Sequence, residues 1–211
     1  MKTLYKYPRT YHLSWSLGST NDDRFLPSDN IFVGKEIVCS EKCDGENTTF
    51  YPDHIHARSL DSVHHPSRNA VKQIHGEICG NIPKNYRICG ENLYAKHSLF
   101  YNKLPSYFLV FSIWNKDFCL SWDETKEWCD LLGLKTVPEL YRGPWNVSLI
   151  KSLFTGTSLY GDEQEGYVVR TVDGFNYGEF SSHVGKFVRA KHIKTSAFWM
   201  TEPIVPNLII S

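Results

Sequence analysis

The eight residues from Tyr107 to Trp114, YFLVFSIW, constrain the fold of this chain more than any other segment. The run is almost continuously apolar and aromatic, a composition that favours a strand buried on both faces. Other segments share the β-branched and aromatic composition of strands. They are Glu36 to Tyr51, which we expect to form two strands meeting at the turn pair Asp44-Gly45, the segment from Arg87 to Cys89, Gly166 to Thr171, and Val184 to Ala190.

Helix signals lie between these strands. Ser67 is expected to be the N-cap of one helix. Ser121 and Glu124 have the spacing of a capping box, and Gly133 is expected to end the helix that follows. A shorter helix is predicted over residues 146–154. Together these elements predict an α+β fold with mostly antiparallel sheets and flanking helices.

The composition excludes several classes of protein. The 211 residues are 41% hydrophobic and 22% charged, which is typical of a globular protein, and no run reaches the roughly 18 apolar residues of a membrane-spanning helix. Lys and Arg number 23, and so do Asp and Glu, whereas a protein that coats nucleic acid is usually basic. The N-terminus lacks a secretion signal and the six cysteines form no C-x-x-C pair, so we expect a cytoplasmic protein without a structural zinc site.

The sharpest local motif is EKCDGEN at residues 41–47, which contains the pattern K-x-D-G-x-N. A lysine amine is nucleophilic only in its neutral form, which burial or a nearby cation favours. An isolated K-D-G would be read as a surface lysine beside a turn. With four fixed positions, however, chance occurrence is on the order of one in a thousand for a chain of this size. The motif therefore makes Lys42 a candidate nucleophile.

The motif resembles the active-site motif of the covalent nucleotidyltransferases, the superfamily of polynucleotide ligases and messenger-RNA capping enzymes. Further residues match that superfamily's motifs in the same order: Arg58 in HARS, Glu91 in GEN, Phe111 in FSIW, Glu165 in EGYVVR and Lys186 in GKFVRAK. Each has a simpler explanation alone, such as core packing for Phe111 or an acidic turn for Glu165. Their common order favours the resemblance, which spans roughly residues 36–192.

The resemblance implies a role for each matched residue. Lys42 would attack the α-phosphate of a nucleotide, Glu91 would bind the ribose and Phe111 would stack on the purine. The implied catalytic residues are Lys42, Asp44, Glu165 and Lys186. The implied nucleotide-binding residues are Glu41, Lys42, Asn47, Arg58, Glu91, Phe111, Glu165, Lys186 and Arg189.

A divalent cation, Mg²⁺ or Mn²⁺, is expected at Glu165 and Asp44, because magnesium keeps most of its waters and needs only one or two carboxylates. The closing strand of the superfamily usually carries a second basic residue two positions after the first, where this chain has Val188. Arg189 or Lys191 is therefore the expected source of the second charge.

The G-x-N after the lysine and the segment GENLY look most like ATP-dependent RNA ligases. We therefore expect a single adenylyltransferase domain over residues 1–211. It would have an N-terminal arm (1–35), a C-terminal arm (193–211) and no appended oligonucleotide-binding barrel. In the implied reaction Lys42 takes AMP from ATP, AMP passes to a 5′-phosphate, and a 3′-hydroxyl displaces AMP to join the strands.

The implied partners are RNA ends, in a nicked duplex or an RNA/DNA hybrid, together with an enzyme that heals such ends; no membrane is involved. Two alternatives stay open. A DNA nick-sealing ligase or a guanylyltransferase shares the lysyl-nucleotide step, and a non-catalytic module could grip nucleic-acid ends in the same groove.

Overall fold

The structure is a computed structural model that describes residues 3–19, 23–190 and 203–210. Within these residues the strands are β1 (Tyr11–His12), β2 (Glu36–Lys42), β3 (Glu46–Tyr51), β4 (His54–Ala57), β5 (Tyr86–Asn92), β6 (Phe108–Asn115), β7 (Phe118–Cys119), β8 (Lys135–Thr136), β9 (Glu139–Pro144), β10 (Gly166–Thr171), β11 (Phe175–Asn176) and β12 (Val184–Val188). The α-helices are α1 (Asn69–Ile78), α2 (Trp122–Leu132) and α3 (Val147–Ser152).

The strands form two sheets. The five-stranded sheet has the order β1-β12-β10-β2-β9, and the seven-stranded sheet has the order β11-β7-β6-β5-β3-β4 with β8 beside β6. Only β1–β12 and β6–β8 are parallel among the strand pairs of the described chain. The predicted α+β class with mostly antiparallel sheets is confirmed.

Helices cover each sheet on one side. Val71 and Ile78 of α1 and Cys129 of α2 belong to a core cluster with the seven-stranded sheet. Ile150 of α3 packs into a second cluster with the five-stranded sheet. A further cluster joins residues of both sheets, including Trp114. The two sheets therefore share a core, and the functional site lies between them.

The two strands predicted to meet at Asp44-Gly45 exist, but they do not pair with each other as the strands of a hairpin would. β2 pairs with β10 and β9, and β3 pairs with β4 and β5. Both edges of each strand are therefore occupied, and the turn carries the chain from one sheet to the other. This crossing places Lys42, the last residue of β2, at the junction of the sheets.

Some predicted boundaries also differ. Ser67 is not an N-cap: it lies inside a 3-10 turn, Pro66–Arg68, whose cap is the side chain of His65, and α1 begins afterwards. The closing strand ends at Val188 rather than at Ala190. The capping box of Ser121 is confirmed.

The terminal segments pack against the domain. Within the predicted N-terminal arm, β1 extends the five-stranded sheet, and Leu13 and Phe32 are fully buried. Residues 203–210 pair with the segment 93–104. The rest of the predicted C-terminal arm, including Lys191, lies outside the described residues. None of the described helices has the length and apolar character needed to cross a membrane.

Candidate active site

A cavity of about 440 Å³ lies between the two sheets. Its walls come from β2, β5, β6, β10 and β12 and from residues 7–10 of the N-terminal segment. Most of the predicted site residues line it: Glu41, Lys42, Asn47, Arg58, Glu91, Phe111 and Lys186. Motif residues that are far apart along the sequence therefore meet at one cavity in the fold.

Lys42 and Glu165 form an ion pair at this cavity. Lys42 lies opposite Gly166 in the β2–β10 register, which brings the preceding residue, Glu165, to the lysine. Lys42 Nζ donates to Glu165 Oε1 at 2.7 Å and to Oε2 at 2.6 Å. On its other side, Gly166 allows β12 to approach β10 closely, because a Cβ at this position would collide with the carbonyl oxygen of Phe187.

The charges around Lys42 hold it protonated. Burial lowers its pKa, but the carboxylates of Glu165, Glu91 and Asp44 outweigh burial and hold the pKa above the ordinary value for lysine. A protonated amine is not a nucleophile. Any reaction of Lys42 must therefore begin with a change in these contacts.

Glu91 and Asn47 lie directly opposite each other on β5 and β3. Glu91 Oε1 accepts a hydrogen bond from Gly45 N at 3.1 Å, and a Cβ at Gly45 would collide with the carbonyl oxygen of Asn92. Asn47 Oδ1 is buried and has no hydrogen-bond partner among the described residues. Buried polar atoms are usually paired, so this amide has hydrogen-bonding capacity left for a ligand.

Phe111 enters the cavity because of a β-bulge. Cys89 pairs with Ser112 and Gly90 with Val110, so Phe111 is the extra residue on β6. A bulge re-aims the side chain of the unpaired residue. Phe111 is half-buried between buried neighbours on its strand, as expected for a ring that faces a cavity.

Lys186 lies opposite Val168 in the β10–β12 register, on the wall next to Lys42. Its Nζ is 3.3 Å from Asp23 Oδ1. Burial and the nearby Lys42 lower its pKa, and Asp23 opposes both. The cavity thus has two close lysines, each held by a carboxylate.

The carboxylates of Asp44 and Glu41 hold loops. Asp44 Oδ2 accepts the backbone N–H groups of Ser98 at 2.7 Å and Leu99 at 2.9 Å. Glu41 accepts hydrogen bonds from the Ser158 hydroxyl and, at 2.9 Å, from the Leu159 N–H. Both carboxylates therefore stabilise the walls of the site.

The two carboxylates expected to hold a divalent cation, Glu165 and Asp44, lie beside the cavity and are not among the residues that line it. Over the described ranges, no group of three or more His, Cys, Asp or Glu side chains is arranged to hold a metal ion. Magnesium, however, is bound through one or two carboxylates plus waters and substrate phosphates. Glu165, with Asp44 Oδ1 outside the loop contacts described above, meets that requirement.

Comparison with known proteins agrees with this geometry. The family model described as RNA ligase matches residues 35–188. The chain belongs to the RNA ligase family. No curated protein matches it by sequence.

Solved RNA ligase structures share the fold. A Naegleria gruberi RNA ligase with PPi has a TM-score of 0.57 and 22% identity, over 89% of this chain and 58% of that chain. An apo variant of that enzyme gives the same TM-score and identity, over 89% and 62%. A variant with ATP and Mn gives 0.54 and 22%, over 74% and 50%. This family member therefore spans roughly half to three-fifths of those chains.

Val188 stands at the position where the family pattern has its second basic residue, and the structure shows what surrounds it. Val188 is buried, and its N–H donates to Ser16 Oγ at 2.9 Å while its carbonyl accepts from Leu17 and Gly18. A charged side chain at this covered position would be costly. The N-terminal segment thus pairs with the end of β12, where the second cation is expected.

Arg189 does not replace that cation at the cavity. Its Nη1 is 2.8 Å from Glu163 Oε2, and Arg189 is not among the cavity-lining residues. Arg170 does line the cavity, with its Nη2 donating to Leu120 O at 2.8 Å. Sequence reasoning did not select Arg170, although it is the basic residue that ends the EGYVVR motif.

The N-terminal arm, which the sequence predicts to wrap the core or touch substrate, contributes to the site, although none of its residues was predicted as a site residue. Tyr7 and Asp23 line the cavity. The Tyr7 ring packs edge-to-face on Phe111 with centroids 5.0 Å apart, and its carbonyl accepts from Arg58 Nε at 3.4 Å. The aromatic and basic composition of residues 5–11 was the available signal, and it does not specify a position.

Truncation of Tyr7 is expected to weaken nucleotide binding. Aromatic pairs contribute about 0.5–1.5 kcal/mol beyond burial, so with ATP, the nucleotide proposed below, Tyr7→Ala should raise the KM by about 2- to 10-fold with a smaller change in kcat. Tyr7→Phe, which keeps the ring, serves as the control and should stay near wild type. Equal KM values for all three proteins would mean that Tyr7 does not support Phe111.

Glu91 is expected to make the stability of this domain depend on pH. Burial raises the pKa of Glu91 to about 8, although Lys42 opposes the shift. At a pH between 4.5, the ordinary pKa of a glutamate, and about 8, Glu91 has lost its proton in the unfolded chain but keeps it in the folded chain. The free energy of unfolding therefore falls as the pH rises through this window and is level above it.

Glu91→Gln should remove this slope, because the amide resembles the protonated carboxyl and does not titrate. Thermal unfolding of both proteins from pH 5 to pH 8 would measure it. The melting temperature of the variant should rise relative to wild type as the pH rises, by about 2–4 °C for each kcal/mol. Parallel melting curves would contradict the assignment.

Proposed function

We propose that this chain is an ATP-dependent RNA ligase that joins a 3′-hydroxyl end to a 5′-phosphate end through a lysyl-AMP intermediate on Lys42. The observation that carries the proposal is the placement of Lys42 at a cavity between two sheets, with Glu165, Glu91 and Lys186 around it. Family membership supports the same conclusion, and so does the likeness of the fold to a Naegleria gruberi RNA ligase variant with ATP and Mn.

In the proposed first step, the neutral amine of Lys42 attacks the α-phosphorus of ATP. An N–P bond forms, the bond from the α-phosphorus to the bridging oxygen breaks, and pyrophosphate leaves while the amine loses its proton. Charge develops on the phosphate oxygens, and preorganised cations such as Lys186 and Arg58 stabilise such charge. Phe111 would stack on the purine and Glu91 would bind the ribose, fixing the nucleotide for attack.

In the next steps a 5′-phosphate oxygen of RNA attacks the lysyl-bound phosphorus, and the N–P bond breaks to free Lys42. A 3′-hydroxyl then attacks the 5′-phosphorus, loses its proton and displaces AMP. Glu165, with Asp44, would hold a divalent cation, Mg²⁺ or Mn²⁺, which supplies charge neutralisation at the phosphates. The chain's own contribution is the position of the amine relative to the nucleotide.

The nucleotide specificity tests this proposal. Purified protein would be incubated with α-labelled ATP, GTP or NAD and magnesium, and acid-labile label on the protein would be measured on a denaturing gel. We expect label from ATP alone, followed by sealing of RNA ends in preference to DNA-only nicks. Label from GTP would favour a capping-type reaction, and sealing of DNA alone would favour a DNA ligase.

No label from any nucleotide, in protein shown by mass spectrometry to carry no AMP beforehand, would favour a non-catalytic end-binding module. The proposed partners are RNA ends in a nicked duplex or hybrid and an end-healing enzyme. A cytoplasmic setting is part of the proposal and is supported by the six cysteines, all of which are free thiols.

A further inference from the structure

A second groove, of about 520 Å³, adjoins the nucleotide cavity. Gly45, Asn47 and Arg58 line both. The groove therefore opens onto the cavity beside the turn that follows Lys42. A ligand in the groove would have its end next to a nucleotide in the cavity.

A buried ion pair fixes one wall of this groove. Arg68 Nε and Nη2 lie 2.6 Å and 2.5 Å from the two carboxylate oxygens of Glu46, and both side chains are about nine-tenths buried. Such bidentate pairs are geometrically specific, and they leave little net charge on the wall. Arg58 forms no ion pair within the part of the chain that the structure describes, so its charge can act on a ligand.

His97 faces the groove from a loop that is anchored on both sides. Lys96 N donates to Val205 O at 2.8 Å, and Ser98 N and Leu99 N donate to Asp44 Oδ2. Asp44 is two residues from Lys42. The loop that carries His97 is therefore hydrogen-bonded to the turn that follows Lys42. His97 itself lies outside the K-x-D-G-x-N motif.

We propose that this groove binds the 5′-phosphate end of the RNA strand that accepts AMP, and that His97 contacts its terminal phosphate. This inference rests on the proposed function. In the step concerned, an oxygen of the 5′-phosphate bonds to the lysyl-bound phosphorus, the N–P bond breaks, and the amine of Lys42 keeps the electron pair and takes up a proton. Donors from Arg58 and His97 orient the attacking phosphate, and Ser59 adds a polar wall.

The groove is lined by two acidic residues, Glu46, which is paired with Arg68, and Asp61, which is exposed to solvent. An exposed carboxylate is screened by water and salt, whereas Arg58 is partly buried at the junction with the cavity. The end of the strand is therefore expected at the junction, and the rest of the strand is expected to leave the groove toward solvent.

Single-turnover transfer separates this inference from the proposed function. The lysyl-AMP form of each protein would be prepared with α-labelled ATP, freed of ATP, and mixed with 5′-phosphorylated RNA, and the label that moves to RNA would be followed over time. His97→Ala should form lysyl-AMP within about 2-fold of wild type and transfer it at least 10-fold more slowly. His97→Gln, which keeps a polar donor, should recover part of that loss, and His54→Ala serves as an exposed-histidine control.

Each other outcome overturns the inference in a recognisable way. Transfer by His97→Ala at the wild-type rate would exclude His97 from the RNA end. Normal transfer with slow sealing of pre-adenylylated RNA would assign the groove to the 3′-hydroxyl strand instead. Loss of lysyl-AMP formation in both folded His97 variants would place His97 in the nucleotide site, and absence of lysyl-AMP in wild type would overturn the proposed function itself.

Discussion

Substitution of Lys42 by alanine is expected to abolish transfer of AMP from ATP to the protein. The amine is the proposed nucleophile, and the other lysine near it, Lys186, lies on a different strand, β12, where Asp23 holds it. No neighbouring group can therefore take its place, and we expect the rate to fall by more than about 1,000-fold. Radiolabel on the protein after a denaturing gel measures the effect.

The ion pair with Glu165 determines the controls for this substitution. Alanine would leave a buried carboxylate without its partner, which is destabilising, so a loss of label could reflect misfolding. Lys42→Arg keeps a positive charge for Glu165, but a guanidinium remains protonated and cannot attack. We expect Lys42→Arg to fold and to be inactive, and Lys84→Ala, at an exposed lysine, to be labelled normally. A labelled Lys42→Arg protein would exclude Lys42 as the nucleophile.

The sequence alone predicted the strands that carry the site and most of the residues that meet there. Lys42 and Lys186 lie within segments whose composition predicts strands, Glu91 follows a third such segment by two residues, and strand register brings the three together. Local composition is sufficient for the strands, because each buried strand needs a near-continuous set of apolar side chains, whereas the site residues were predicted from the order of their motifs.

Other parts depend on contacts between distant segments and were not predictable in this way. The turn at Asp44-Gly45 has the residues of a hairpin turn, but partner strands on both edges of β2 and β3 decide its path. The bulge that exposes Phe111 exists only in the pairing of β5 with β6. The hydrogen bonds of Val188 with residues 16–18 likewise arise from the tertiary fold, and so does the ion pair of Arg189 with Glu163, which does not line the cavity.

Removal of the Glu165 carboxylate tests two opposite expectations. If Glu165 served only as the counter-ion of Lys42, Glu165→Gln would lower the pKa of Lys42 and increase the fraction of neutral amine near neutral pH. The first step would then become faster. If Glu165 also holds the divalent cation, the variant would lose charge stabilisation at the phosphates, which typically costs about 100-fold or more.

We expect the second effect to dominate, so that Glu165→Gln forms lysyl-AMP at least about 100-fold more slowly than wild type at saturating magnesium. The lowered pKa of Lys42 should still be visible in the residual reaction. In a plot of rate against pH, the rise in rate with pH should begin at a lower pH than in wild type. Single-turnover labelling from pH 5.5 to pH 9 across a magnesium titration measures both quantities.

Asp162→Asn, at an exposed carboxylate three residues away, is the matched control. A Glu165→Gln protein with wild-type rate and magnesium dependence would reduce Glu165 to a structural partner of Lys42, and the cation would then have to be held elsewhere.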